Sequence, residues 1–326
     1  MHEQILLELA PYNETVANAG FYATCASLIG SVAVLLIFTC VPETRKNFFF
    51  NIGFYISLSD LIFGISTIYV QDPNEIDTQV CQILGMGREF GMLASIVWTN
   101  IISWCVFKTL NNSVSDEELF KDQWFYLGLG YVPALLLSIL PLFVYPEIYG
   151  PNDIYCWLSS SEKHIFAITA IGYYIPFAIS FLLCMIWYCR TLKLIKAFIT
   201  FRISREFLKL MLYPIILFLC NIGAIVDYFY VGFVDSKGLL WLQFTYVIVR
   251  QSQGFLNALV YANNYGVRNA IKRRYKTMTG TPSFHVDSSA SVIIEQFESF
   301  EATSNEYLIE KYFNMKKEYR YDNDND

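Results

Sequence analysis

Residues 251–276 read QSQGFLNALVYANNYGVRNAIKRRYK, and this stretch decides the fold class. Its first half completes an apolar run, residues 239–262, that is long enough to cross a bilayer. Polar side chains nevertheless recur through the middle of that run, and the chain then continues without a proline into a basic segment. A polar stripe on an otherwise apolar helix indicates one wall of a membrane-embedded helical bundle.

The composition of the whole chain agrees with a membrane protein. Hydrophobic residues make up 55% of the 326 residues and charged residues only 16%, which is more apolar surface than a soluble domain of this length can bury. A helical crossing needs about 20 consecutive apolar residues. Seven runs meet that length: 16–41, 48–70, 83–107, 124–144, 165–187, 208–233 and 239–262.

The basic residues between these runs predict the orientation, because Lys and Arg collect in cytoplasmic loops. One side of the membrane would carry only Lys163 and Lys237. The other side would carry Arg45, Lys46, Lys108, Lys121, Arg190, Lys193, Lys196, Arg202, Arg205 and Lys209. We therefore predict an all-α membrane protein, a seven-transmembrane helix bundle with its N-terminus outside and its C-terminus inside.

The same pattern divides the chain into four segments. Residues 1–15 form an extracellular tail, residues 16–262 the bundle, and residues 263–277 a short amphipathic helix at the cytoplasmic interface. Residues 278–326 form an acidic cytoplasmic tail that we expect to be disordered, with Ser and Thr residues for kinase or arrestin-like partners. The predicted localisation is a multi-pass membrane protein of the plasma membrane, with the lipid bilayer as its solvent.

The predicted orientation also sorts the cysteines. Of eight cysteines, only Cys81 and Cys156 fall on the outer side, where the environment is oxidising. We expect them to form one disulfide that holds the loop between the fourth and fifth crossings over the mouth of the bundle. Asn13 begins the sequon Asn13-Glu14-Thr15 in the outer tail and is an expected glycosylation site.

Ionisable residues inside the crossings are candidates for function, because hydrocarbon disfavours them unless they find partners or ligands. Asp60 in the second crossing and Arg250 in the seventh lie at about the same depth, roughly 15 Å below the outer end of each helix at 1.5 Å per residue. Two interpretations stay open for them: an ion pair near mid-membrane, or separate contacts with waters and hydroxyls. Together with Pro214, Asn257 and Tyr261, Asp60 forms the predicted polar core and switch.

A second group of polar residues lies nearer the outer surface. Arg88, Glu89 and Asp227 sit about 7 Å deep by the same helical rise. Because Arg88 and Glu89 are neighbours on one helix, they point to different faces, and one of them can extend to the interface instead. The predicted ligand pocket consists of Arg88, Glu89, Asp227, Tyr228, Gln243, Tyr246 and Arg250. Pro214 lies near the inner end of the sixth crossing and is either a hinge or a static kink.

Several function classes lack the residues that they require. A retinal protein needs a Schiff-base lysine in the seventh crossing, and residues 239–262 contain none. A zinc hydrolase of the membrane needs intramembrane histidines, whereas the three histidines, His2, His164 and His285, lie outside the crossings. We therefore expect no enzymatic activity, no cofactor or metal, and no nucleic-acid partner. A transporter or channel remains the alternative, since Asp60 and Arg250 can also line a substrate path.

Three stretches resemble the cyclic AMP receptor-like family of G-protein-coupled receptors. They are LMLYPIILFLCNIG at residues 210–223, YCWL at residues 155–158 and SQGFLNALVYANNYGVR at residues 252–268. Asn257 to Tyr261 is also similar to the Asn-Pro-x-x-Tyr motif of rhodopsin-like receptors, with Ala in place of Pro. Secretin-family receptors share related Gln-Gly-Phe and Cys-Trp sequences, but they carry large cysteine-rich extracellular domains.

The resemblance implies a signalling function with a heterotrimeric G protein and an extracellular ligand as partners. An agonist would favour an open state of the bundle, in which the sixth helix moves outward and a cytoplasmic cleft forms. The implied G-protein-facing residues are Lys108, Arg190, Lys193, Lys196, Arg202, Arg205 and Lys209. The inner end of the third crossing reads ISWCVFKTL and lacks the Asp-Arg-Tyr motif. The ligand itself stays unidentified, because Arg88 and Arg250 can meet a phosphate whereas Glu89 and Asp227 would repel one.

Overall fold

The protein is mostly helical, with one short β-hairpin. The computed structural model describes residues 2–68, 77–112, 114–152, 155–158, 165–198, 209–234 and 240–279. The chain divides into two units, Met1–Ile271 and Lys272–Asp326, and the helical core belongs to the first. The α-helices among the described residues are α1 (His2–Cys40), α2 (Phe48–Ile68), α3 (Thr78–Asn112), α4 (Asp116–Lys121), α5 (Gln123–Val144), α6 (Ile165–Thr169), α7 (Ile175–Phe198), α8 (Leu212–Phe233), α9 (Leu240–Gln251), α10 (Gln253–Ala262) and α11 (Tyr265–Thr279).

Six helical segments in the described part of the chain are long and apolar enough to cross a membrane. They are Thr15–Cys40, Phe48–Ile68, Thr78–Asn112, Gln123–Val144, Ile165–Leu194 and Leu212–Phe233. These segments match the first six predicted crossings. The helix α1 itself begins at His2, so the chain is already helical before residue 16, where the predicted crossing starts.

The seventh predicted run folds as two shorter helices, α9 and α10, that follow one another through Ser252. The Ser252 N–H donates to the Ile248 carbonyl at 3.1 Å, and the Ser252 carbonyl accepts the Leu256 N–H at 3.1 Å, so the helical ladder of hydrogen bonds continues across the junction. The Ser252 hydroxyl also donates to the Ile248 carbonyl at 2.8 Å, which competes with the backbone and distorts helices locally. The sequence predicted one continuous crossing over residues 239–262, without this interruption.

Two prolines lie beside irregular helical turns. The segment between α6 and α7, Ala170–Tyr174, is a π-helical turn that immediately precedes Pro176. Such turns accommodate helix irregularities that a proline introduces by removing a backbone donor. Pro214 was predicted near the inner end of the sixth crossing, and it lies in the first turn of α8, after a turn at Met211. A proline in the first turn removes no hydrogen bond of α8, because those N–H groups have no helical partner.

A β-hairpin follows α5 and packs against α3. Its strands are β1 (Tyr149–Asn152) and β2 (Tyr155–Leu158), paired antiparallel with Tyr149 opposite Leu158 and Asn152 opposite Tyr155. Cys156 in β2 is bonded to Cys81 in the first turn of α3, with the two Cα atoms 5.3 Å apart. The predicted disulfide is confirmed. The hairpin is thereby tied to one end of the helix that contacts most of the bundle.

Close helix packing and an apolar exterior complete the fold. A Cβ atom on Gly91 of α3 would lie 2.7 Å from the Phe63 backbone nitrogen and 2.8 Å from the Ser59 carbonyl oxygen, so glycine lets α2 and α3 approach closely. On α5, the large apolar side chains of Trp124 and Phe143 are 82% and 83% exposed. A water-soluble surface rarely exposes a face of this kind, whereas lipid accommodates it.

Candidate functional site

The Asp60 carboxylate is the centre of a buried hydrogen-bond network. Its Oδ2 accepts the side-chain amide of Asn257 at 2.7 Å. Its Oδ1 accepts the hydroxyl of Ser95 at 3.0 Å and the side-chain amide of Gln253 at 3.2 Å. Asp60 is 2% exposed. Three donors from α3 and α10 therefore satisfy both oxygens of a carboxylate on α2, which joins three helices at one point.

The same network continues to α8 and to the π-helical turn. The Asn221 side-chain amide donates to Gln253 Oε1 at 3.3 Å, and the Tyr173 hydroxyl donates to Asn221 Oδ1 at 2.7 Å. On the opposite side, the Gly254 N–H donates to the Ser27 hydroxyl of α1 at 3.0 Å. We call the set Asp60, Ser95, Asn221, Gln253 and Asn257 the polar core. The polar core connects α2, α3, α8 and α10, so a movement of one of these helices can be transmitted to the others.

Asp60 and Arg250 lie near one small cavity but form no ion pair in the described part of the chain. The cavity has a volume of about 10 Å³, room for about one water, and its lining includes both residues, Tyr173, Asn221 and Gln253. Asp60 is held by amide and hydroxyl donors. Asp60 therefore has separate polar contacts, as in the second of the two interpretations, although two of its three donors are amides rather than waters or hydroxyls.

Arg250, in the last turn of α9, is buried among aromatic and sulfur atoms. Its guanidinium donates to the Met92 sulfur and lies 5.0 Å from the ring centre of Tyr173 and 5.8 Å from that of Trp157. The side chain is 4% exposed, and its Nε has no hydrogen-bond partner among the described residues. The positive charge of Arg250 therefore lies against aromatic rings rather than beside a carboxylate.

Arg88 and Glu89, which are neighbours on α3, are both buried, each 1% exposed. Arg88 donates to the Thr67 hydroxyl at 2.8 Å, and its guanidinium lies 3.7 Å from the ring centre of Tyr155. Glu89 accepts the indole N–H of Trp157. The expectation that one of the two extends to the interface is wrong, because both side chains are buried and the hairpin contacts each of them.

The strand β2 brings these charges together. Tyr155 lies over Arg88, and Trp157 contacts both Glu89 and Arg250. Side chains alternate along a strand, so Tyr155 and Trp157 share one face while the intervening Cys156 holds the strand to α3. We call Arg88, Glu89 and Arg250 the charged cluster. Neither aromatic residue was predicted from the sequence to belong to the site, although their alternation around a disulfide cysteine was a signal for them.

The other predicted pocket residues lie on α8 and α9. The Gln243 side-chain amide donates to Asp227 Oδ2 at 3.3 Å. Tyr228 stacks on Tyr174, with ring centres 3.9 Å apart, and its hydroxyl donates to a backbone carbonyl of α6. A Cβ atom on Gly223 of α8 would lie 2.6 Å from the Tyr246 Cβ, so Tyr246 of α9 packs closely against α8.

The predicted switch residue Tyr261 is buried at the end of α10. It is 2% exposed and packs edge to face on Phe50, with ring centres 6.0 Å apart. A Cβ atom on Gly53 of α2 would lie 2.7 Å from the Tyr261 ring, so the ring fills the space that glycine leaves. Asn257 belongs to the polar core one helical turn before Tyr261.

The residues predicted to face a G protein are described only in part. The Lys108 ammonium lies 5.8 Å from the Trp104 ring centre, and the Arg190 guanidinium lies 5.4 Å from that of Trp187. Lys193 is exposed and Lys209 is partly buried. The side chains of Asn13 and Lys196 and the residues Arg202 and Arg205 lie outside the part that the structure describes.

The helix α4, between α3 and α5, is held to the start of α2. The Asn47 side-chain amide donates to Asp116 Oδ2 at 2.9 Å, and the Ser115 hydroxyl accepts the Glu118 N–H at the start of α4. Burial raises the pKa of the Asp116 carboxyl, and a hydrogen bond from the Phe48 backbone opposes that rise. Specific polar contacts therefore fix the position of α4 relative to the start of α2.

Comparisons with known proteins agree with this architecture. A sequence model of the family described as "7 transmembrane receptor (Secretin family)" matches residues 12–256. The chain is similar to "Cyclic AMP receptor-like protein A" of Dictyostelium discoideum, 23% identical over 257 residues that cover 78% of this chain and 66% of that protein. It is also similar to "G-protein coupled receptor 1" of Arabidopsis thaliana, 25% identical over 279 residues that cover 80% of this chain and 81% of that protein. The chain thus spans about two thirds of the length of the Dictyostelium protein.

Proposed function

Since this chain belongs to the secretin family of seven-transmembrane receptors, we propose that it carries an extracellular signal to a cytoplasmic heterotrimeric G protein. The observation that carries this proposal is the family match over residues 12–256, which includes every element of the polar core except Asn257. The similarity to "Cyclic AMP receptor-like protein A" and to "G-protein coupled receptor 1" supports it. Membership of this receptor family distinguishes the chain from the transporter and channel alternative.

In this proposal the chain crosses the plasma membrane seven times, with its N-terminus outside and its C-terminus inside. The consecutive helices α9 and α10 supply the seventh crossing, since their hydrogen-bond ladder continues through Ser252. The Cys81–Cys156 disulfide supports an outer position for the hairpin, because disulfides persist in oxidising compartments. Residues 1–15 are then an outer tail that carries the sequon of Asn13.

The cytoplasmic side follows from the same orientation. Residues 263–277 lie along the inner membrane surface, because basic side chains surround an apolar face there. Residues 278–326 form the tail for kinase or arrestin-like partners. The G-protein-facing surface consists of Lys108, Arg190, Lys193, Lys196, Arg202, Arg205 and Lys209. Opening of that surface involves the inner end of α8, where Pro214 follows the turn at Met211.

The signal passes from the charged cluster to the polar core through α9 and α10. Arg250 contacts Trp157 of the hairpin, and Gln253 and Asn257, which follow it on the chain, bind Asp60. A displacement of Arg250 by a ligand therefore acts on the junction at Ser252 and on the contacts of Asp60. A ligand activates the receptor only by the difference between its affinities for the open and the closed state.

Nucleotide exchange on a G protein tests this function. Membranes that contain the full chain and a co-expressed heterotrimeric G protein are expected to exchange nucleotide faster than membranes without the chain, either basally or with a ligand from a broad metabolite and peptide panel. The variant Asn257→Ala serves as the inactive control, since it removes one donor to Asp60. Background exchange across the panel, together with solute or ion flux through the protein, would contradict the receptor function.

A further inference from the structure

We propose that Arg88 and Arg250 bind the oxyanion group of a small ligand, a carboxylate or a phosphate, beneath the β-hairpin. The proposal rests on the receptor function for its biological role and deepens it by naming the chemical class of the ligand. The binding chemistry itself depends only on the charged cluster. Its two arginines come from α3 and α9, and the hairpin covers both of them.

The charge balance of the cluster is the first argument. Arg88 and Arg250 are 1% and 4% exposed, and Glu89 is the only carboxylate of the cluster. Trp157 links Glu89 to Arg250, since its indole N–H binds the Glu89 carboxylate and its ring centre lies 5.8 Å from the Arg250 guanidinium. Two buried positive charges therefore share one negative charge, and a buried charge without a counterion is strongly unfavourable. A ligand that brings one negative charge would neutralise the cluster.

The hydrogen-bonding capacity of the cluster is the second argument. Nε of Arg88, Nε of Arg250 and Oε1 of Glu89 are buried and have no partner among the described residues. A guanidinium offers five N–H donors, and its strong partners are carboxylate and phosphate oxygens. Apart from the bond of Arg88 to the Thr67 hydroxyl and that of Arg250 to the Met92 sulfur, the two guanidinium groups face rings, among them those of Tyr155 and Trp157. These ring contacts are weaker than charge-assisted hydrogen bonds, so an oxyanion can replace them.

The free Oε1 of Glu89 specifies a further feature of the ligand. Ionised carboxylate oxygens accept hydrogen bonds and donate none. Glu89 already accepts the indole N–H of Trp157 through its other oxygen. A ligand that carries a hydroxyl or amine donor next to its oxyanion would therefore use both partners of the cluster.

The cluster is closed in this structure, so binding requires the hairpin side chains to move. The neighbouring cavity measures about 10 Å³, whereas sites for small molecules usually measure about 300–1,000 Å³. The disulfide holds β2 at Cys156, so the rings of Tyr155 and Trp157 on either side of it are the parts that can turn away. The hairpin then acts as a lid over the anion site.

The test uses the full chain in lipid nanodiscs, with thermal unfolding as the readout and no G protein present. Sodium benzoate and sodium phenyl phosphate are titrated at constant ionic strength, and neutral benzamide is the matched probe without charge. We expect either anion or both to raise Tm saturably, while benzamide has no effect. The two anions distinguish a carboxylate ligand from a phosphate ligand. Equal effects of benzamide and the anions would overturn the proposal.

Charge variants give the sharper result, because removing an arginine and removing Glu89 should change the anion affinity in opposite directions. Arg88→Gln and Arg250→Gln should each weaken the apparent anion affinity about tenfold or more, whereas Glu89→Gln should strengthen it several-fold by removing the repelling carboxylate. Arg268→Gln, an exposed arginine on α11, is the matched control and should leave the affinity unchanged. If an arginine variant fails to fold, Arg88→Lys and Arg250→Lys keep the charge, and each is expected to retain weakened binding.

Weaker binding in Glu89→Gln, or unchanged binding in the arginine variants, would contradict the anion site. Because the readout contains no G protein, it separates the two proposals. Anion binding without nucleotide exchange would refute only the receptor function, and nucleotide exchange in a protein that binds no anion would refute only this site.

Discussion

The polar core around Asp60 and the charged cluster under the hairpin are both buried, yet they differ in how well their groups are satisfied. Every oxygen of the Asp60 carboxylate has a donor, and those donors come from two other helices. In the charged cluster, three polar atoms have no partner among the described residues. A satisfied buried network stabilises one arrangement of helices, whereas an unsatisfied one stores free energy that a ligand can release. The comparison therefore assigns structure and coupling to the first region and binding to the second.

The largest expected effect comes from removing the centre of the polar core. Asp60→Ala leaves the donors of Ser95, Gln253 and Asn257 without their acceptor, and each orphaned buried donor costs about 1–3 kcal/mol. We expect the free energy of unfolding to fall by about 3 kcal/mol or more, measured as a large drop in Tm of the purified protein. Asp60→Asn keeps one acceptor oxygen, so its Tm should lie between those of the wild type and Asp60→Ala. Wild-type stability of Asp60→Ala would show that the network is not structural.

The next largest effect separates the hairpin from the bundle. Cys81→Ser removes a disulfide that spans 75 residues, and such bonds typically contribute about 2–4 kcal/mol. We expect a lower Tm and faster amide hydrogen exchange in the hairpin, while exchange around Asp60 stays slow. Cys40→Ser, which changes an exposed free cysteine, is the matched control. Faster exchange in both regions would mean that the two regions are not independent.

A smaller effect of the opposite sign is expected in the charged cluster. Arg250→Met removes a buried charge that has no ion-pair partner in the described part of the chain and fills a similar volume beside Met92. Replacing a buried charge by a well-packed apolar side chain is often neutral or stabilising. The free energy of unfolding should therefore rise by about 0–1 kcal/mol. Ligand-stimulated nucleotide exchange on the G protein should nevertheless be lost. A loss of stability as large as that of Asp60→Ala would remove the distinction between the two regions.

The smallest effect concerns Asp116, which serves as a reference outside both regions. Burial raises the pKa of its carboxyl above the unfolded value of about 3.9, so folding disfavours the ionised form. The penalty is absent below the unfolded pKa and is fully present once the pH exceeds the folded pKa. Asp116→Asn keeps an acceptor for Asn47 and should stabilise the protein at pH 7 by a few tenths of a kcal/mol at most, since the site is partly exposed and salt screens it. At pH 3 the variant and the wild type should unfold at the same temperature. An equal difference in Tm at pH 7 and at pH 3 would show that ionisation of Asp116 is not the cause of the stabilisation.

The sequence predicted the parts of these regions that depend on helical periodicity and on sidedness. Asp60, Asn257 and Tyr261 were assigned to the interior because they lie on polar stripes, and Cys81 with Cys156 was paired because both fall on one side. Gln253 was missed, although it lies three residues after Arg250 and four before Asn257 and therefore falls on the same helical face. The alternation of Tyr155 and Trp157 around Cys156 indicated that the two rings share one face. Their contacts with Arg88 and Arg250 could not be predicted, because the position of the hairpin relative to α3 and α9 comes from tertiary packing.

The orientation of the chain tests the account most directly, because both the outer position of the charged cluster and the inner position of the basic loops depend on it. Epitope tags are placed at Met1 and Asp326, and antibody labelling is compared in intact and permeabilised cells. The account predicts that the tag at Met1 is labelled in intact cells and that the tag at Asp326 is labelled only after permeabilisation. A tag at Met1 that is reached only in permeabilised cells, or two tags that label on the same side, would contradict it.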